Sequence, residues 1–72
     1  MESFKNEDEA WLWMAEQVED EECVDNERLG YQDNPESMEN YDKRYSLGCC
    51  GFFDEDVLID GRLATIGCNY GH

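Results

Sequence analysis

The chain has 72 residues, 19 acidic and five basic, for a formal net charge of −14. That length makes one domain with a marginal core, and small scaffolds usually add disulfides, a metal or a partner. So negative a surface repels nucleic acid and anionic lipid and attracts basic proteins, which argues against direct nucleic-acid or membrane-surface binding.

The first predicted element is an acidic helix over residues 6–23. Asn6 caps it, Glu9 three residues on completes a capping-box-like pair, and Glu7, Asp8 and Glu9 suit the positive N-terminal dipole. Trp11, Met14, Ala15 and Val18 recur at helical spacing and make one apolar stripe, with Leu12 on its margin. Trp13 falls roughly 200° from Trp11, at about 100° per residue, so it is expected to point away from the stripe and toward a partner. Glu19, Asp20, Glu21 and Glu22 crowd the C-terminal turn, where the dipole prefers cations. Nothing in local folding asks for four acids there.

The stretch VDNERLGYQDNPES reads as a loop with turn chemistry at Gly30 and Asp33–Asn34. A second helix is predicted over residues 35–47, with Asn34 as its cap and Pro35 at its first position. Met38, Tyr41 and Tyr45 form its apolar face, Lys43 and Arg44 suit its C-terminal turn, and Gly48 stops it. The last predicted element is a β-hairpin over residues 52–68, turning at Asp60-Gly61 as a type I′ turn. Its register pairs Ile59 with Arg62, Val57 with Ala64 and Phe53 with Cys68, and brings Cys49 near His72. Strand alternation allows only one of Phe52 and Phe53 to face inward. The expected fold is therefore α+β, two helices packed on a C-terminal antiparallel hairpin, in one domain spanning residues 1–72.

Three of the four cysteines and the only histidine meet at the open end of this hairpin. Cys49, Cys50, Cys68 and His72 make a candidate structural zinc set, with Cys23 as substitute for one of the adjacent pair. Buried or free thiols are a second reading, and a disulfide between Cys68 and Cys49 or Cys50 a third. No leading basic-then-apolar segment and no apolar run of membrane-spanning length occurs, so a cytoplasmic setting, where thiols stay reduced, is expected. A histidine at the last position is a poor general base, and DEDVLIDG lacks the ligands of a calcium loop, so no catalytic residue is assigned and no enzyme is expected.

The negative charge is lopsided. Residues 1–42 carry 15 acids against Lys5 and Arg28, a net of −13, whereas residues 43–72 carry four against Lys43, Arg44 and Arg62, a net of −1. Glu9, Glu16, Glu19 and Asp20 fall opposite the apolar stripe, and Glu27, Asp33, Glu36, Glu39 and Asp42 are expected to continue the field. Glu16, Glu19, Asp20, Glu21, Glu22, Asp25 and Glu27, with Trp13, are the candidate partner-binding residues. Carboxylates along such a surface approximate the phosphates of a nucleic acid and fit a groove of lysines and arginines. In its small size, its acidity and clusters such as NEDEAW and EQVEDEECVDNE, the chain resembles the DNA-mimic inhibitors of bacteriophages, among them uracil-DNA glycosylase inhibitors and several anti-CRISPR proteins. The resemblance covers mainly residues 1–42. It implies stoichiometric blockade of a CRISPR effector, restriction nuclease or repair nuclease in the host cytoplasm. The alternative is a small zinc-stapled adaptor that meets its partner through the aromatic hairpin end.

Overall fold

The computed structural model describes residues 1–45 and 51–71, with residues 44 and 45 described by their backbone alone. The hairpin forms at the expected turn: Asp60 and Gly61 adopt φ of 50° and 77°, the left-handed pair that a type I′ turn requires. Its strands are β3 (Gly51–Ile59) and β4 (Arg62–Gly71), longer than predicted but in the expected register, with Ile59 opposite Arg62, Val57 opposite Ala64 and Phe53 opposite Cys68. The expected approach of Cys49 to His72 lies outside the described residues.

The hairpin is not the whole sheet. β1 (Ser3–Phe4) pairs in parallel with the outer side of β3, and β2 (Cys23–Tyr31) pairs antiparallel with β4. The four strands stand in the order β1-β3-β4-β2. The fold class is α+β as expected, but the two helices pack on a mixed four-stranded sheet instead of on a bare hairpin. Residues predicted as loop are in fact strand β2. Its alternation is hidden by a bulge, in which Asn26 and Glu27, between Asp25 and Arg28, stand against the single Cys68 between Asn69 and Gly67. Asn26 carries the bulge at φ 49°, a conformation asparagine tolerates better than most residues. The extra residue shifts the side-chain parity, so Val24 and Leu29, five apart, face the same way.

Helix α1 (Glu7–Gln17) starts where predicted and stops six residues early. The Glu9 N–H donates to Asn6 Oδ1 at 3.0 Å, and the Glu9 carboxylate reaches back to the Lys5 N–H at 2.8 Å. At the other end Val18 donates to the Ala15 carbonyl and Glu21 to the Val18 carbonyl, so the chain turns out of the helix directly after Gln17. Glu19 to Glu22 therefore lie in the connection to β2, just past the negative helix end, and not within its last turn. Helix α2 (Pro35–Tyr45) follows Asn34, whose side chain accepts from the Ser37 N–H at 3.2 Å.

The two helices cover opposite faces of the sheet. Ala10 and Met14 of α1 and Val18, its C-cap, pack with Val57, Ile59, Ala64, Ile66 and Cys68 in a dry core. Tyr41 of α2 instead reaches Gly67, one residue from Ile66 and so on the other face. A Cβ at Gly67 would stand 2.6 Å from Tyr41 Oη and 2.7 Å from Asp54 Oδ1, and one at Gly30 would stand 2.8 Å from Met38 Sδ. Glycine at both places is what lets α2 lie close on the strands.

Candidate protein-binding interface

The connection after α1 and the bulged start of β2 carry six of the seven candidate acids, the other being Glu16 of α1. Glu16, Glu19, Asp20, Glu22, Asp25 and Glu27 are exposed and Glu21 is half-buried. Glu19, Glu21 and Glu27, separated in sequence, line one cleft of about 280 Å³. Its apolar wall is Met14, Ala15, Val18 and Val24. Val24 belongs to it because the bulge turns that side chain to the α1 face. This combination of apolar wall and acidic rim escapes sequence reading, since its signal is a bulge inside a stretch that reads as loop.

The rest of the predicted field divides. Glu36, Glu39 and Asp42 belong to α2 and so lie on the far side of the sheet from α1. They do not continue a single acidic face, because sheet alternation sends the two helices to opposite sides. Glu39 pairs with Lys43 at 3.3 Å in an exposed i,i+4 contact. Asp33 is gripped by the Arg62 guanidinium at 2.7 and 3.1 Å, which holds its carboxyl below the usual range.

Trp13 does not stand free as expected. It is half-buried, with its ring 5.6 Å from that of Phe4 and 5.7 Å from that of Phe53, and so closes the edge of the core. Leu12 is the large apolar residue of α1 that is exposed, at 67%. Of the two adjacent phenylalanines, Phe53 packs inward and Phe52 is exposed, as alternation requires.

Beneath α2 lies a polar cluster that the sequence reading, which counts Arg28 only as a charge, does not anticipate. Arg28 is 1% exposed. Its Nη1 donates to Asn69 Oδ1 at 2.6 Å and to the Asn26 carbonyl at 3.1 Å, and its Nη2 stands 3.6 Å from Asp54 Oδ1. The guanidinium also lies 5.0 Å from the centre of the Tyr41 ring. Burial raises the Asp54 pKa, and the Arg28 charge opposes that shift without overcoming it. A cleft of about 220 Å³ opens beside the cluster between Arg28, Ser37, Asn40 and Tyr41.

Of the cysteines, Cys23 stands opposite Gly71 in β2 and Cys68 opposite Phe53 in β4. Of the candidate metal ligands, Cys49, Cys50 and His72 lie outside the described residues. Cys68 is buried and free, which agrees with the buried-thiol reading and not with the disulfide to Cys49 or Cys50, and burial pushes its thiol pKa up. Cys23 is disulfide-bonded, so it has no thiolate to offer as substitute ligand, and the expectation of reduced thiols fails at that position. Among the described residues no group of three or more His, Cys, Asp or Glu side chains converges on a metal position.

Comparison of the chain with protein-family models, with curated proteins and with solved structures finds no match to any of them. No helix among the described residues is long and apolar enough to cross a membrane.

Proposed function

We propose that the chain is a binding protein without catalytic activity, a stoichiometric inhibitor of the kind bacteriophages carry. Its acidic surface from Glu16 to Glu27 occupies the basic groove of a nucleic-acid-handling host protein, such as a CRISPR effector or a restriction or repair nuclease, in the host cytoplasm. The observation that carries this reading is the run of acids around the C-terminal end of α1. Six of the seven predicted contact acids are exposed there, and the last turn of the helix holds no basic residue. Each carboxylate near that end is opposed by the helix dipole and by its neighbours, a cost that a cationic partner relieves. The surface thereby offers fixed negative charge to a groove built for phosphates, and steering of that kind makes capture fast and salt-sensitive.

The test is competition. A partner retained from bacterial lysate by the native chain is challenged with duplex DNA and with the triple variant Glu19→Lys, Asp20→Lys, Glu22→Lys. The reading expects DNA to displace the chain, rising salt to weaken the complex steeply, and the variant to retain nothing. A partner that holds DNA and the chain at the same time defeats the mimicry.

A further inference from the structure

The two edges of the sheet are finished differently. At the β2 edge Asn26 sits in the bulge, and the Tyr31 N–H donates to Ser37 Oγ of α2 at 3.1 Å, so that edge is distorted at one end and capped at the other. At the opposite edge β1 pairs with only Leu58 and Ile59 of β3. The Leu58 N–H donates to the Glu2 carbonyl and the Asp60 N–H to the Phe4 carbonyl, both at 2.9 Å, so the even-numbered residues of β3 turn their backbone groups outward. Asp54 and Asp56 continue that row, and no hydrogen bond among the described residues reaches their outward N–H and C=O groups. The side chains along this stretch are acidic. Asp54 stands 3.6 Å from the Arg28 guanidinium, but Asp56 accepts only from the neutral Gln32 and Thr65, and Glu55 is exposed. No salt bridge among the described residues reaches Glu55 or Asp56.

We infer that this edge takes up an extended, basic segment of a protein partner as an added strand, lying beside β3 in line with β1. The outward backbone groups of Asp54 and Asp56 supply the ladder, and main-chain pairing of this kind gives affinity while the flanking side chains give choice of partner. Those side chains set one uncompensated carboxylate on each face. Asp56 lies on the α2 face with Gln32 and Thr65, and Glu55 lies on the α1 face, opposite Ile66. Lysine or arginine beside either carboxylate is favoured, whereas an acidic residue there is repelled. The same charges oppose a second copy of this chain. Two such edges brought together would set Asp54, Glu55 and Asp56 against themselves, between molecules that each carry a net charge of −14. An acidic edge therefore refuses its own kind and admits a basic strand. This surface lies across the sheet from β2 and the acids around the end of α1, so the inference stands apart from the proposed acidic interface.

The test uses a capped hexapeptide alternating lysine and valine, titrated into the intact chain while amide hydrogen exchange is followed by NMR. In the free chain the Asp54 and Asp56 amides should exchange fast, and the peptide should slow them saturably by about tenfold or more, as new ladder bonds do. The control peptide has the same sequence and charge but carries N-methyl groups on alternate residues, in both registers, so it cannot complete the ladder. It should bind about tenfold more weakly, the factor expected for losing one or two backbone hydrogen bonds. Glu55→Lys, at an exposed position, should weaken the lysine peptide, and Asp56→Pro should abolish protection of Asp54, since proline is tolerated where a strand N–H faces outward but offers no donor there. Equal binding of the N-methylated peptide overturns the inference, because charge alone would then account for the contact. So does protection that falls on Val24 and Leu29 of β2, an unchanged titration in E55K, or a lysine peptide that leaves Asp54 and Asp56 exchanging fast. Protection of the same two amides that appears without peptide and grows with protein concentration would give the edge to a second copy and equally overturn it.

Discussion

The two faces of the sheet are held by different physics. On the α1 face, Met14, Val57, Ile59 and Ile66 pack together, and among the described residues no charged group is buried with them. On the α2 face, the contact is Arg28, Asn69, Asp54 and Tyr41, packed against glycine backbone. A dry face gains from area and tolerates changes of shape that keep volume. A buried ionic face depends on every member, because a charge left without its partner in low dielectric is worse than none. So small a domain can hold two helices on one sheet because its second face asks for little apolar surface, and the sequence has little left to give.

The largest effect should come from breaking the ionic face. Arg28→Ala leaves Asp54 and Asn69 facing a void, and should cost about 3–5 kcal/mol in urea unfolding. The double change Arg28→Met with Asp54→Leu should recover most of that loss, since replacing a buried pair by apolar groups is often near neutral. Failure of the double variant to recover would mean that Asn69 and Tyr41, and not the ion pair, carry the face. Next in size is Gly67→Ala, whose methyl would press on Tyr41, Asp54 and the Phe53 carbonyl and should cost about 1–3 kcal/mol. On the dry face Met14→Leu should cost less than about 1.5 kcal/mol, because volume is conserved. A Met14→Leu loss equal to that of Gly67→Ala would erase the distinction between the faces.

The elements differ in how far they were legible in the sequence. The hairpin was, because Asp60-Gly61 dictates both turn type and register, and the register then places Phe53 against Cys68. The start of α1 was, because Asn6 and Glu9 are local signals. Strand β2 was not: period-two alternation survives only from Arg28 to Tyr31, and the bulge at Asn26 inverts it toward Cys23. Missing that strand hid the ionic face as well, since Arg28 is inward-facing only as a strand residue opposite Gly67. The candidate contact acids were legible as composition, but the cleft that unites three of them depends on the bulge and on where α1 stops. Trp13 misled because helical periodicity sees one stripe, whereas Phe4 and Phe53 extend the core around the side of the helix.

Acid titration sharpens the contrast with a sign. The Asp54 carboxyl titrates above its unfolded-chain value because of burial, so its contribution favours the folded state below the unfolded pKa and is lost as pH rises through the folded one. Asp33, at the surface, is shifted the other way by Arg62, so its contribution is present above the unfolded pKa and lost as pH falls through the folded one. Urea midpoints across the carboxylate range should therefore show opposite changes in pH slope for Asp54→Asn and Asp33→Asn. Slopes of the same sign in both variants would show that the α2 face is solvated like the surface.

The smallest expected effect tests whether the α1 face is apolar to its rim. Tyr31 sits there with its hydroxyl donating to Glu7 Oε2 at 2.7 Å and the Arg62 guanidinium 3.8 Å from its ring centre. Burial first, and the Glu7 carboxylate second, push its pKa up to about 12. Ultraviolet titration should thus show one tyrosine ionising near 12. Glu7→Gln removes the nearby charge and weakens the hydrogen bond, so that midpoint should fall. It should stop short of the ordinary tyrosine value, because burial, the larger cause, is untouched. A full return to that value would mean that Glu7 alone sets the shift and that water reaches the ring, moving the boundary of the dry face inward to Leu29. An unmoved midpoint would mean that the Glu7 contact is absent in solution, and that the start of α1 is held to β2 by apolar packing alone.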